Sequence, residues 1–520
     1  MRASTRRSSA GWITLATLAL QACASPSLVP AVAREPAATD RPDSGADGTE
    51  ACLEGQWLLS DVQTCDQPIA AAWEDQSALL PPNPHDHWDD ERGWVAEVGT
   101  RLLQTTPDRL LAWVDLETGE QGTDTFSLTF LGMAAGDIDG DGVLELVIFG
   151  EGLSIVWAWG TDAQQEEVFV AKGDWPLGRA IFDVAVADMD GDGDLDLYCA
   201  MNDPSDDMNM QRSAVYWNEG GVIQREPQVS GGDESLYGTV FDAAVLDMDG
   251  DGSLDVFECN DHGMTVGPNT TVLNDGAGGL SAVPGTGADL RMGCMGASFA
   301  DMDDDGDLDM YLAGTGEQKM LLRDGDRWVD ASPSMLEAVG QQEMFWGSSL
   351  TDIDNDGTID IVVGEGAFVS DDGLWPLRAS FKNEDGKWVD RGPELGLAQQ
   401  TGARGLVMSD LNDDGVLDMV FGDRTTGGWL YMSEGCTEDA WLKIEAPDGT
   451  VATVHAGDRS WTVLVTTEPG CCAWAPARAQ VGLGATETID RIELKVPWQG
   501  RFCLDGPIEP RRTVQFLGPT

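Results

Sequence analysis

Three observations predict an all-β chain built from one repeated unit. An acidic nonapeptide, Asp-x-Asp-x-Asp-Gly-x-x-Asp in its commonest form, occurs six times, starting at Asp137, Asp188, Asp247, Asp301, Asp352 and Asp410. Successive copies are 51, 59, 54, 51 and 58 residues apart. Such a period marks a repeat architecture whose length differences fall in loops. Each copy also lies between two short apolar runs, as 182–187 and 195–200 flank the second, in a chain with 63 Gly. Strand, tight loop, strand is the local reading. About four short strands per period describe one blade of a β-propeller. The chain therefore reads as a seven-bladed, alternatively six-bladed, β-propeller over residues 51–435 with a small C-terminal β domain over 436–520.

At the amino terminus, Arg2, Arg6 and Arg7 precede an apolar run over 11–20 and then Leu20-Gln21-Ala22-Cys23. The run is too short to span a bilayer. The segment 1–22 resembles a bacterial lipoprotein signal peptide, which implies export and a lipid anchor on Cys23. An ordinary secretory signal cleaved near Ala22 or Ala24 is the alternative. Ala24 in place of an acidic residue favours the outer membrane or cell surface, with a periplasmic or secreted protein as the other outcomes. Residues 23–50 are rich in Pro, Ala, Asp and Ser, lack apolar periodicity and read as a disordered tether.

Nine cysteines follow Cys23. In an exported chain they can form disulfides. Cys52–Cys65 is a plausible local clip around a strand at 56–59, and Cys471 or Cys472 could pair with Cys503. An odd count leaves at least one free or paired between chains. His85-Asp86-His87 could hold a transition metal, but a polar exposed loop is the plainer reading.

Within the repeat, strands just before each acidic loop are crowded with small residues: Gly132, Ala134, Ala135; Ala243, Ala244; Gly296, Ala297, Ala300; Gly347, Ser348, Ser349; Gly405. Innermost propeller strands converge where large side chains do not fit. Asn218-Glu219-Gly220, Asn274-Asp275-Gly276 and Asp324-Gly325 suit hairpin turns further out. Trp113-Val114 and 125–130 supply strands for a seventh blade that lacks an acidic loop.

Clustered carboxylates repel unless a cation sits among them, and hard oxygen ligands at this density suit Ca²⁺. An EF-hand would need a carboxylate at loop position twelve and flanking helices. Position twelve is Ile148, Cys199, Glu258, Leu312, Val363 or Phe421, and the flanks are strand-like. Together the motif and period resemble the FG-GAP/VCBS repeats of integrin α-type β-propellers. That resemblance implies ligands at loop positions one, three, five and nine. In this chain those are Asp137, Asp139, Asp141 and Glu145; Asp188, Asp190, Asp192 and Asp196; Asp247, Asp249, Asp251 and Asp255; Asp301, Asp303, Asp305 and Asp309; Asp352, Asp354, Asp356 and Asp360; and Asp410, Asn412, Asp414 and Asp418. Asn412 removes one charge, so the sixth site is expected to be the weakest.

After Cys436, alternating strands begin at Trp441-Leu442-Lys443-Ile444-Glu445. Val481-Gly482-Leu483-Gly484 and 490–497 then resemble the ASPIC/UnbV domain that follows such propellers, with Val481 and Val496 in place of its Phe and Trp.

Formal net charge is −61. That excludes a general nucleic-acid binder and disfavours docking on anionic lipid. No nucleophile elbow, Walker loop, His-Glu-x-x-His or dinucleotide fingerprint is present. His85, His87, His262 and His455 are the four histidines, and none has a partner pattern. A non-enzymatic, Ca²⁺-stabilised surface scaffold binding protein or glycan is the reading these observations favour. A polysaccharide hydrolase with its site on one face of the ring is the rival, since paired carboxylates are abundant.

Overall fold

A computed structural model describes residues 51–65, 73–80, 94–106, 110–125, 130–150, 152–157, 164–170, 180–202, 213–224, 228–229, 239–261, 263–336, 343–366, 375–382, 385–397, 399–423, 427–433, 436–467 and 470–519. The signal segment, Cys23, the tether, His85, His87 and His262 lie outside them.

Six four-stranded antiparallel meanders and a seventh four-stranded antiparallel sheet occur among the described residues. The first runs Val95–Val98, Arg101–Thr106, Leu110–Asp115 and Gln121–Thr125. The others open on Phe130–Gly136, Ala180–Ala187, Val240–Leu246, Cys294–Ala300, Phe345–Thr351 and Ala403–Ser409. Each opening strand packs on the next, and Ala403–Ser409 packs on Val95–Val98. The opening strands thus form a closed ring, and the blades radiate from it. The predicted all-β propeller is present.

Ring closure uses sequence from both ends. The seventh sheet takes three strands from the local chain, and its outer strand is Trp73–Asp75, which pairs with Gly427–Ser433. Trp73 Nε1 donates to the Leu417 carbonyl at 2.8 Å. Pairing first and last segments leaves the ring without the open edge that an incomplete blade would expose. A disulfide, Cys65–Cys436, lies beside this junction.

Most of the remaining described strands form a second β unit. Ala440–Glu445 pairs with Arg478–Gly484 and Arg512–Pro519, and Thr450–Ala456, Arg459–Val465, Ile489–Val496 and Gly500–Ile508 form the facing sheet. Leu442, Ile444, Val454, Leu483, Ile492, Leu494 and Val514 make its core. Gly55–Leu59, expected with the propeller, instead pairs with Arg512–Pro519.

The local Cys52–Cys65 clip is overturned: Cys52 bonds Cys503, across 451 residues. Cys503 is therefore not the partner of Cys471 or Cys472, which bond each other. Cys199 is the buried free thiol that the odd count required. Four disulfides suit an oxidising compartment. Among the described residues, no helix is long and apolar enough to cross a membrane.

The small residues of the innermost strands have a definite neighbour. Residues 470–475 enter the ring, where Ala473–Trp474 pairs in parallel with Val95–Ala96. Cys471 and Cys472 are buried among Trp94, Phe241, Met295, Trp346 and Trp474. A Cβ on Gly347 would lie 2.6 Å from the Arg404 carbonyl oxygen and 2.7 Å from that of Cys471. Small side chains here make room for a plug supplied by the second β unit.

Candidate metal centres

Each acidic loop joins an innermost strand to the second strand of its blade, and its backbone conformation follows from residue type. Positions four and six carry positive φ in all six loops. The first three loops use glycine at both. In the last three, position four is Asp304, Asn355 and Asp413, with φ of 64°, 61° and 55°. Asn and Asp tolerate the left-handed region better than other side chains.

The carboxylates fold the loop before any ion is considered. Position one accepts the N–H of the glycine at position six in every loop, at 2.6–3.1 Å. Position nine accepts the N–H of position two in every loop, at 2.7–3.2 Å. The other oxygen of position nine reaches the third strand of the same blade, where Asn218, Asn274, Arg323 and Ser433 donate backbone N–H groups to Asp196, Asp255, Asp309 and Asp418.

Two of those third-strand residues do more than turn the chain. The Asn218 side-chain amide donates to the Ile138 carbonyl at 2.7 Å, in the preceding blade's loop. Asn274 does the same to Met189 at 2.7 Å. Sequence context marks both only as hairpin residues. Their recurrence ahead of Gly two residues later was the available signal.

Acidic oxygens meet in five loops. The sets are Asp137, Asp139 and Glu145; Asp188, Asp190 and Asp196; Asp247, Asp249 and Asp251; Asp301, Asp303 and Asp309; and Asp352, Asp354 and Asp356, each with ligand atoms within 4.8 Å of one another. The fourth expected ligands, Asp141, Asp192, Asp255, Asp305 and Asp360, sit in the same loops but outside those sets. Asp410, Asp414 and Asp418 of the sixth loop form no such set among the described residues.

Burial makes the clusters costly as bare anions. It pushes the Asp188, Asp247 and Asp301 carboxyls up to about 6, with neighbouring carboxylates adding to the rise. Asp255 and Asp309 rise to about 7 and Asp196 to about 8 for the same reasons. Asp352 and Asp360 are also raised, first by burial and then by their acidic neighbours. In the first loop, Asp137 Oδ1 is buried without a hydrogen-bond partner. An orphaned carboxylate oxygen beside Asp139 and Glu145 is one that a bound cation would satisfy. An all-oxygen donor set fits Ca²⁺ better than metals that prefer nitrogen or sulfur.

The second β unit covers the loop-bearing side of the ring. Trp498 lies against Gly191, where a Cβ would come within 2.8 Å of its ring, and its Nε1 donates to the Asp188 carbonyl at 2.8 Å. Trp498 N–H donates to the Gly252 carbonyl at 2.9 Å. Arg459 and Trp461 both donate to the Gly357 carbonyl, at 2.9 and 3.0 Å. Trp441 lies over Gly415.

The family described as FG-GAP-like repeat matches residues 137–199, 247–312, 301–363 and 352–421. A search of the curated proteins finds no match. Among solved structures, the chain is similar to a lectin of Agrocybe aegerita described as recognising non-reducing terminal N-acetylglucosamine, at 15% identity and a TM-score of 0.41, over 70% of this chain and 94% of that one. It is also similar to the WD40 β-propeller domain of Doa1, at 10% identity and a TM-score of 0.40, over 73% and 98% of the two chains. A third is YCF48 bound to D1 peptide, at 11% identity and a TM-score of 0.41, over 72% and 98%. With the ring topology and the matched segments together, the chain carries FG-GAP-like repeats on a β-propeller.

Proposed function

We propose that this chain is a Ca²⁺-stapled, seven-bladed propeller that serves as a non-enzymatic binding scaffold for protein or glycan. The observation that carries the calcium reading is the orphaned Asp137 Oδ1 beside Asp139 and Glu145, and acids cluster in the same way in four further loops. Ca²⁺ held there offsets repulsion between carboxylates that burial already penalises. Its role is to fix the turn between the two inner strands of a blade.

A calcium-stapled loop has no spare function at the surface, because the second β unit packs over several of these loops. A ligand would be met on the opposite side of the ring. The unit over 436–520 is, on this reading, an ASPIC/UnbV-like domain that docks on the loops. Export through the 1–22 signal and anchorage through Cys23 would place the scaffold at the outer membrane or cell surface, where its disulfides persist.

Two measurements test this. Calcium-stripped protein should melt well below the calcium-loaded form, and equal melts would defeat the stapling claim. Purified protein should bind members of a glycan or surface-protein panel without consuming them. Turnover of a polysaccharide would replace the scaffold with a hydrolase.

A further inference from the structure

We infer that the sixth acidic loop takes the ammonium of Lys443 in place of a divalent cation, so that this blade is stapled by the second β unit itself. The inference rests on the calcium reading of the other five loops.

Lys443 lies in the strand Ala440–Glu445. Alternation along a strand sends Leu442 and Ile444 into that unit's own core and Trp441 and Lys443 to the other face. That face meets the sixth loop. Trp441 covers Gly415, and Lys443 Nζ stands 3.3 Å from Asp410 Oδ2 and 3.5 Å from Asp413 Oδ1. The Lys443 side chain is 9% exposed and that of Asp410 0%. A buried charge needs a partner, and each is the other's. Among the described residues, no other loop has a Lys or Arg nitrogen within 4 Å of its position-one carboxylate. Lys382, near the fourth loop, donates to the Met302 carbonyl at position two, at 3.2 Å, and among the loop's carboxylates comes within 4 Å only of the exposed Asp304 at position four, at 3.9 Å.

Two more features turn the loop away from a metal. At position three, Asn412 donates its side-chain N–H to Asp414 Oδ2 at 3.0 Å and to the Ser433 carbonyl at 3.2 Å. Both partners are acceptors, so the amide orientation is set, and a donor stands where the other loops offer a carboxylate oxygen. The Ser433 hydroxyl also donates to Asp414, at 2.9 Å to Oδ2. The charges of Asp410 and Asp414 are thus met by protein donors. Replacing Ca²⁺ with a lysine on a second β unit makes docking of that unit and completion of this blade a single event.

The test counts calcium per chain by native mass spectrometry on the mature protein, stripped and then titrated with CaCl₂. Five ions are expected for wild type. Asp352→Asn should lower the count by one, and Asp410→Asn should leave it at five. A double variant, Lys443→Met with Asn412→Asp, should raise it to six. Lys443→Met alone, in calcium-free buffer, should melt several degrees below wild type because Asp410 is left buried and unpaired. Six ions on wild type, a count that falls on Asp410→Asn, or an unchanged calcium-free melt for Lys443→Met would overturn the inference. No ions on any loop would sink the calcium reading beneath it.

Discussion

The raised carboxyls of the acidic loops predict that calcium stabilises this protein more at pH 8 than at pH 5. Unfolded aspartate titrates near 3.9. In the folded, calcium-free chain, burial and acidic neighbours hold Asp188 near 6 and Asp196 near 8. A carboxyl raised on folding contributes stability that is fully present below the unfolded value. It is lost as pH climbs through the folded one. The calcium-free protein therefore weakens between about pH 4 and pH 8, while calcium, which needs the ionised acids, binds better over that same range. Raising one carboxyl from 3.9 to about 6 separates its two protonation states by roughly 3 kcal/mol. These loops are partly wet, and screening and small rotations leave ~1 kcal/mol per loop. Five loops then give on the order of 5 kcal/mol, which in a chain this large is roughly 5–10 °C in Tm. The assay is differential scanning fluorimetry on resin-stripped protein at pH 5 and pH 8, with and without millimolar CaCl₂. The calcium-dependent rise in Tm should be larger at pH 8. A rise that is equal at both pH values, or larger at pH 5, refutes the argument that calcium replaces protons on buried loop acids.

Three further outcomes follow from other contacts. Trp498→Ala removes the ring against Gly191 and the bond to the Asp188 carbonyl; stability should fall by ~2–4 kcal/mol, and limited proteolysis should cut between 433 and 440 sooner than in wild type. Cys65→Ser with Cys436→Ser loosens the segment that closes the seventh sheet; chemical unfolding should show a loss of ~2–4 kcal/mol. Asp183 and Asp242 are buried acids on innermost strands that accept the backbone N–H groups of Ala243 and Ala297, at 2.9 and 2.8 Å, and burial pushes Asp183 up to about 7. Asp183→Asn keeps an acceptor and loses the charge, so its Tm relative to wild type should improve from pH 5 to pH 8, whereas Asp183→Ala should lose ~1–3 kcal/mol at both.

The blades were legible because their information is local. Asp at alternate positions, Gly at position six and short apolar or small-residue runs on either side dictate a strand-loop-strand unit whatever surrounds it, and the six loops fold with one hydrogen-bond scheme. The rest depended on partners hundreds of residues away. Trp73–Asp75 is three residues long and has no periodicity to read, so its place on the seventh sheet is decided by the pairing edge that Gly427–Ser433 leaves open. Cys52 and Cys65 looked like a clip because they are close in sequence, but strand Gly55–Leu59 belongs to the second β unit and carries Cys52 to Cys503. Small residues on the inner strands point to a narrow channel. The channel's contents, a loop with two adjacent cysteines, could not be read because no local pattern marks a plug.

Lys443 shows how far the same local rule can mislead. By alternation alone it is the polar, outward member of an amphipathic strand, and a solvated face is the ordinary fate of such a lysine. Outward from the small unit, however, is inward to the whole molecule, because Trp441 and Lys443 face the propeller. A surface as acidic as this one, at −61 overall, gives any docking element a reason to bring positive charge and indole N–H groups. Lys443, Arg459, Trp461 and Trp498 do so at the second, fifth and sixth loops. The repeat that makes each blade alike therefore also makes six similar acidic landing points on one side of the ring. What distinguishes them is which side chain of the second unit, if any, arrives, and if Lys443 acts as inferred it decides which loop needs no calcium.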